Sequence, residues 1–534
     1  MKATAEQRAI CESPAHVLRV SAFAGTGKTT TLQGYAYERR HSRILYVAFN
    51  KGIQVQAARK FGRLAKSMTV HGLAFASYGK DYAQEPGKLI QQDLKPFHIE
   101  KVLASSTRML PKSLRNLYAA RVLEALKAFL ISGHPAITDD LVHLADTPAE
   151  RRFFDPARII MDAEKVWERM QSLKAGSLPM THDGYLKLFQ LSQPELPYDV
   201  ILVDEYQDTN PVTQALLHRQ ASRKVYVGDT HQAIYGFRGA RNAMALVDAD
   251  ETLFLTGSFR FGAAIADVAN ALLSGKGETI ALQGLGAEGH VGFVWPHQPY
   301  AFLARSNAAV FARAVQALEW NEPFALIGNL SSYRFDLMVQ TYRLMAHEKV
   351  SDPFVRSFES FEDLEAYGHA MRDREIISRC RLVAKHGSRI PTLTRKIQER
   401  ARSYPDSQAR VILGTAHRAK GMEFDQVELA NDFMDFRDEE GRWKDLQQLD
   451  ERGVEEINLQ YVAVTRAKRQ LKIGDRLRDY LFMRDAQVAK KPMFSNASSV
   501  SDNAEILANQ DLVLPSSTSE NRPRFARSGW LTNS

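Results

Sequence analysis

Cysteine is nearly absent from this sequence: of 534 residues only Cys11 and Cys380 are thiols. They stand far apart and match no metal-ligand spacing, which excludes a disulfide framework and a zinc site. Long hydrophobic runs are also missing. No stretch approaches the roughly 20 apolar residues of a membrane span, and Met1 to Arg19 carries charged residues through its only moderately apolar run, so no export leader or anchor is expected. A cytoplasmic protein without a membrane is the expectation, nucleoid-associated if the source is bacterial. There is no repeat of solenoid period and no nuclease motif. Charge of one sign is in small excess, a formal +8, which suits a polyanionic partner but weighs little by itself.

What is present is a chain of 44% hydrophobic and 25% charged residues, enough for roughly two to four globular units. Short β-branched runs alternate with helical stretches, the pattern of an α/β fold with parallel sheets. Val17–Phe23, Arg43–Phe49, Ser67–Val70, Val200–Val203 and Val225–Val227 are predicted strands of a first lobe. A second set opens with Thr252–Thr256 and continues with Ala301–Ala304, Phe324–Ile327, Arg410–Thr415, Gln426–Leu429 and Leu471–Ile473. The first lobe is expected over 1–81 and 177–248, with a mainly helical insertion at 82–176. The second is expected over 249–330 and 408–489, with a reduced, mainly helical insertion at 331–407 that is charged and poorly periodic. The Ser-, Asn- and Pro-rich stretch 490–534 reads as a disordered tail.

Val17–Phe23 runs into Ala24-Gly25-Thr26-Gly27-Lys28-Thr29-Thr30 and then a helix-like stretch. That strand–loop–helix context is what a phosphate loop requires. Its backbone N–H groups and the helix N-terminus face the β-phosphate, and Gly25 and Gly27 allow close approach. Lys28 neutralises β/γ charge, and the Thr29 hydroxyl is a ligand for Mg²⁺. The apolar run Val200–Val203 ends in Asp204-Glu205. This puts Asp204 near the Mg²⁺ of bound ATP and Glu205 near the attacking water.

Beyond these two elements an ordered series of motifs over about residues 4–475 resembles the UvrD/Rep family of superfamily 1 helicases, and within it the helicase part of the F-box DNA helicases. The series begins with Thr4-Ala5-Glu6-Gln7, and the resemblance gives Gln7 the adenine edge. It continues with Ala48-Phe49-Asn50-Lys51 and Thr69-Val70-His71-Gly72, whose Phe49, Asn50, Lys51, Thr69 and His71 would face single-stranded DNA. Met180-Thr181-His182-Asp183-Gly184-Tyr185 is the stretch most like the F-box helicases, and His182 joins the DNA set. In Val227 to Ala240 the resemblance makes Gln232 the γ-phosphate sensor, while Tyr235, Phe237 and Arg238 reach the strand. An aromatic and an arginine beside an amide that bonds the terminal phosphate would couple hydrolysis to grip on a base.

In the second lobe, Ser258-Phe259-Arg260-Phe261 resembles the motif in which an aromatic, here Phe259 where the family usually has Tyr, stacks on adenine and the following arginine, Arg260, touches the γ-phosphate. Thr415 to Phe424 implies His417 near DNA and Glu423 near the ribose, and Tyr461 to Lys468 carries an arginine finger at Arg466. The implied fold is two RecA-like motor lobes. The implied catalytic set is Lys28, Glu205, Gln232, Arg260 and Arg466, working on ATP and Mg²⁺. Because Arg260 and Arg466 complete a site whose phosphate loop is on the other lobe, transition-state stabilisation requires closure. The series starts so close to Met1 that no amino-terminal F-box is expected.

The expected activity is 3′→5′ translocation on single-stranded DNA and action at single/double-strand junctions. Stacking alone does not separate DNA from RNA. A nucleotide-gated clamp or signalling ATPase would bind nucleic acid without needing this hydrolytic set, and a small-molecule kinase would leave the DNA-facing motifs unused. Only about seventy residues are left for the second insertion, a small domain at best, so weak duplex engagement and limited unwinding by a monomer are expected.

Overall fold

The computed structural model describes residues 3–490 except 92, 145–147, 175, 237–242, 296, 371–372 and 404–407. Two six-stranded sheets organise them. The first contains β1 (Val17–Ala22), β2 (Ile44–Ala48), β3 (Lys66–Thr69), β4 (Val200–Val203), β5 (Arg223–Gly228) and β6 (Glu251–Leu255), in the order β3-β2-β4-β5-β1-β6 and parallel throughout. β2 and β4 are buried at every position, as strands covered on both faces must be. On one face lie α1 (Ala5–Glu12), α2 (Lys28–Glu38) and α3 (Lys51–Phe61), whose Ile10, Leu32, Tyr35 and Phe61 join Leu18, Tyr46 and Leu202 in one core. The helices Lys112–Ile131 and Pro156–Gln171 of the first insertion share a core with Leu45, Val47, Ile201 and Val203. That insertion is therefore continuous with the core on the sheet's other face, together with the helices His182–Leu191 and Pro211–His218.

The second sheet contains β7 (His290–Val291), β8 (Tyr300–Ala304), β9 (Phe324–Leu326), β10 (Val411–Thr415), β11 (Phe424–Leu429) and β12 (Ala467–Lys472), in the order β7-β12-β11-β8-β10-β9, again parallel. The stretch expected to be poorly periodic folds into the helices Asp336–Met345, Phe361–Ala370, Arg374–His386 and Ile390–Ser403. Ile376, Cys380 and Val383 on one helix, and Ile390, Leu393 and Ile397 on the next, pack with Val411 and Leu413 of β10 in a single core.

One strand assignment is corrected. The run expected to open the second lobe at Thr252 is β6, which pairs with β1 in the first sheet, Val20 standing opposite Leu253. Side chains tie it there: Arg19 Nε donates to Thr252 Oγ1 at 3.1 Å, and the Glu6 carboxylate accepts from Thr256 N at 3.0 Å. Strand propensity identifies a strand but not the sheet it joins, and the first sheet accordingly runs past the boundary expected at 248.

Candidate nucleotide and nucleic-acid sites

The residues expected to act together sit at the carboxyl ends of the first sheet's strands, where open parallel sheets bind ligands. The phosphate loop follows β1. Its Gly25 and Gly27 have φ of 76° and 81°, a region that side chains rarely adopt. A side chain on Gly25 would also run into Ser258 and Arg260. Lys28 Nζ donates to Phe23 O at 3.3 Å, inside the loop. Gln7 lies beside Gly27 because a capping box fixes it. Gln7 N donates to Thr4 Oγ1 and Thr4 N to Gln7 Oε1, each at 3.1 Å. A Cβ at Gly27 would be 3.1 Å from the free amide nitrogen of Gln7 and 3.8 Å from the Phe259 ring. The two residues assigned to adenine thus flank the loop from different lobes.

At the end of β4 the Thr29 hydroxyl donates to Asp204 Oδ2 at 3.2 Å, Tyr46 donates to the same oxygen at 2.5 Å, and Glu205 N donates to Oδ1 at 2.9 Å. Burial and the neighbouring Glu205 charge push the Asp204 carboxyl up from the usual carboxylate range. Burial acts on Glu205 in the same sense, but Lys28, Lys420, Gln207 and Arg466 together hold it below. Glu205 also sits in the left-handed region, at φ 53°, a strain that surrounding contacts must over-determine. A hydroxyl and a carboxylate beside a phosphate loop are the hard oxygen donors that Mg²⁺ takes, with substrate phosphates and water supplying the rest. The described residues hold no cluster of three or more His, Cys, Asp or Glu that could bind a metal without such help.

The second lobe reaches this site through several side chains. Arg466 is 1% exposed; its guanidinium donates to Val462 O at 2.9 Å and to Gln232 Oε1 at 3.3 Å, and Gln232 donates to Asp229 Oδ2 at 2.6 Å. Burial first, then Arg260, lowers the Arg466 pKa to about 9, which leaves it charged at neutral pH. Arg260 donates to Thr465 O at 2.8 Å and pairs with Glu423 at 2.7 Å, so the carboxylate assigned to the ribose is held by the arginine assigned to the γ-phosphate. Tyr461 accepts from Ala24 N at 3.1 Å and donates to Asp229 Oδ2 at 3.2 Å. Lys420 pairs with the buried Asp208 and donates to Gln232 O at 2.6 Å. Tyr46, Gln207, Asp208, Lys420 and Tyr461 are contacts for which the motifs gave no role. For the tyrosines the available signal was a hydroxyl inside an apolar run, which must find a partner once buried.

A groove of about 520 Å³ opens next to Asp204 and Asp208, and Phe49, Asn50, His71 and Tyr235 of the expected DNA set line it. Phe49 and Tyr235 stack, with centroids 5.7 Å apart and planes at 17°, and Lys420 Nζ stands 4.9 Å over the Tyr235 ring. The Asn50 and Thr69 side chains cap the helices that start after them, accepting from Ile53 N and Gly72 N. Lys51 is exposed at the first turn of α3. His71 meets Asp183 at 3.3 Å, and His182 meets the Tyr185 hydroxyl at 2.7 Å. His417 is on the second lobe, where burial, then Arg305, lowers its pKa to about 4; it is neutral at pH 7. Phe237 and Arg238 lie outside the described residues, as does the expected tail beyond Lys490.

A phosphate loop and paired carboxylates on one parallel-sheet lobe, met by two arginines from another, define a two-lobed P-loop protein. Residues 149–252 match the UvrD/REP helicase N-terminal domain, and residues 312–475 match the UvrD-like helicase C-terminal domain. The F-box DNA helicase protein 1 of Schizosaccharomyces pombe is 32% identical over 527 residues, covering 88% of this chain and 57% of that protein. The F-box DNA helicase 1 of Gallus gallus is 34% identical over 513 residues, covering 90% of this chain and 50% of that protein. A shorter match, 33% identical over 98 residues, is to the ATP-dependent DNA helicase PcrA of Leuconostoc citreum, covering 17% of this chain and 13% of that protein. The chain spans about half the length of the two F-box helicases, and it belongs to the UvrD/REP helicase family. No helix among the described residues is long and apolar enough to cross a membrane.

Proposed function

We propose that this protein is an ATP-dependent DNA helicase or translocase that moves 3′→5′ on single-stranded DNA and acts at single/double-strand junctions. The observation that carries the reading is the short segment from Asp229 to Tyr235. Gln232 accepts from Arg466, and three residues on Tyr235 stacks with Phe49 in the groove. One element therefore touches the nucleotide side and the strand side, and a movement of Gln232 is felt by Tyr235.

Lys28, Thr29 and Asp204 would hold Mg·ATP, and the ion would supply charge neutralisation of the β- and γ-phosphates. Glu205, kept anionic by the cations around it, orients the attacking water. Arg260 and Arg466 stabilise charge in the transition state once the lobes close. Gln7 and Phe259 hold the adenine, with Glu423 near the ribose. On the strand side, Phe49, Asn50, His71 and Tyr235 contact bases and backbone, joined by Lys51, Thr69, His182 and His417, the last as a neutral hydrogen-bonding group. Closure that shifts one lobe relative to the other along the strand gives one step per ATP. The polarity follows from the family resemblance. The packing of the 331–407 helices onto their own sheet supports limited unwinding by a monomer.

ATPase assays with and without single-stranded DNA or RNA, then strand displacement on duplexes with a 3′ or a 5′ tail, test the reading. The expected result is DNA-stimulated turnover and displacement from the 3′ tail that improves with enzyme concentration. Turnover indifferent to DNA would leave a kinase, binding without sustained turnover would leave a clamp, and preferential displacement from the 5′ tail would reverse the polarity.

A further inference from the structure

Tyr46 stands in the middle of β2, a strand buried at all five positions, and is itself 0% exposed. A phenol in such a place must find a hydrogen-bond acceptor, and many backbone carbonyls would serve. The register of the sheet directs it elsewhere. Tyr46 stands opposite Leu202 on the parallel neighbour β4, and side chains two residues apart along a strand share a face. Asp204 is two residues beyond Leu202, so the phenol and the carboxylate emerge on one side of the sheet. The Tyr46 hydroxyl donates to Asp204 Oδ2 at 2.5 Å. Phe61 of α3 packs on the ring, with centroids 4.7 Å apart, which fixes where the hydroxyl points.

Resting on the ATPase reading above, we propose that Tyr46 is a positioning residue for the divalent cation, acting through Asp204. The carboxylate has two oxygens and three donors: Tyr46 and Thr29 on Oδ2, and Glu205 N on Oδ1. The Thr29 hydroxyl is itself a metal ligand in this reading; it ligates through a lone pair, so its O–H still donates to Oδ2 and tracks the cation. The backbone N–H of Glu205 holds only the far oxygen. The phenol is the shorter of the two bonds to Oδ2 and comes from a group that is not a metal ligand, so it holds the carboxylate toward the phosphate loop before the cation arrives. Removing a hydrogen-bond partner of a ligating group commonly costs about 10–100-fold in metal affinity.

The experiment is Tyr46→Phe, which keeps the ring and its packing against Phe61, with binding of a fluorescent ATP analogue followed over a Mg²⁺ titration and again in EDTA, without DNA. The Mg²⁺ concentration for half-maximal gain in nucleotide affinity should rise about tenfold, while affinity in EDTA and the melting temperature stay at wild-type values. The same substitution in an Asp204→Asn background should leave the Mg²⁺ dependence unmoved, because the phenol acts only through that carboxylate. A wild-type Mg²⁺ requirement in Tyr46→Phe, an equal shift in both backgrounds, or a loss of affinity in EDTA would each overturn the assignment. A wild-type protein whose nucleotide affinity ignores Mg²⁺ would instead overturn the ATPase reading beneath it.

Discussion

Replacing Tyr235 by alanine should separate grip on the strand from hold on the nucleotide. A base stacked on an aromatic side chain is worth about 1–3 kcal/mol, and at about 1.4 kcal/mol per decade its loss weakens single-stranded DNA binding by roughly 5–150-fold. Tyr235 does not stand alone, since its ring lies parallel to Phe49 at 5.7 Å. Such a pair contributes about 0.5–1.5 kcal/mol beyond the area it buries, so the alanine variant also leaves Phe49 without its support. Phe49→Ala should then show a defect of similar size, and the double variant should lose less than the sum by about that pair term. On the nucleotide side, the links from this segment run through Gln232 to Arg466 and Asp229; Lys420, which stands over the Tyr235 ring, is held independently by Asp208 and Gln232 O. ATP affinity without DNA should therefore stay within about twofold, less than 0.5 kcal/mol. Fluorescence anisotropy of a labelled oligonucleotide at fixed salt, beside nucleotide titrations, gives both numbers. Strictly additive defects, or a collapse of nucleotide affinity in a protein that still melts normally, would refute the stacking platform.

Lys28→Ala should lose nucleotide affinity, whereas Glu205→Gln should bind ATP and lose roughly 10²–10⁴ in turnover; near-normal DNA-stimulated hydrolysis in either would refute the site. Arg466→Ala should lower DNA-stimulated kcat by about 10³ or more with a much smaller change in nucleotide affinity, read by pairing steady-state kinetics with equilibrium binding. Tyr461→Phe removes the donor to Asp229 and the acceptor for Ala24 N and should lower the DNA-stimulated rate more than the basal rate; equal loss in both would mean that the hydroxyl does not join the lobes. Lys187, wholly buried, donates to Ser132 O and His134 O and lies 4.3 Å from the Phe129 ring centre. Burial lowers its pKa from 10.5 to about 8, so between those values the unfolded chain binds the extra proton and stability rises with pH. The stability difference between wild type and Lys187→Met should grow in favour of wild type by at most about 3 kcal/mol from pH 8 to 10.5; urea melts that show a flat difference would place the lysine in a wetter setting.

The strands were legible because parallel strands buried on both faces are written as unbroken apolar runs, and Val200–Val203 matches its predicted limits residue for residue. β6 was legible as a strand and misplaced as to sheet, because the side-chain bonds that tie it to Arg19 and Glu6 join residues more than two hundred positions apart. The insertion at 331–407 was expected to be mainly helical, and is, but its individual helices were hard to read for the opposite reason. Arg374–His386 and Ile390–Ser403 are crowded with basic residues, and their apolar stripes reduce to Ile376, Cys380, Val383 and Ile390, Leu393, Ile397, thin lines at helical spacing. At the site, glycines, lysine and paired carboxylates were legible because their chemistry is tied to position in the strand–loop–helix pattern. Tyr46 was not, since Ile44–Ala48 reads as plain core until a neighbouring strand brings a carboxylate within reach. Neither was Lys420, whose partner Asp208 belongs to the other lobe.

Phe23 and Ala24 of the phosphate loop and Ile234 beyond Gln232 are packed in the same apolar cluster as Phe261, Tyr461 and Val464 of the second lobe. Pulling the lobes apart therefore wets hydrocarbon. Each large side chain released to water costs about 1.5–3 kcal/mol, so Phe23 and Ile234 together resist separation by roughly 3–6 kcal/mol. Exposing such surface raises the heat capacity, which makes the opening equilibrium bend with temperature instead of following a straight van't Hoff line, and excluded solutes such as sulfate push it shut. Under the proposed function, water is then taken up in the mechanical half of the cycle as well as consumed in the chemical half.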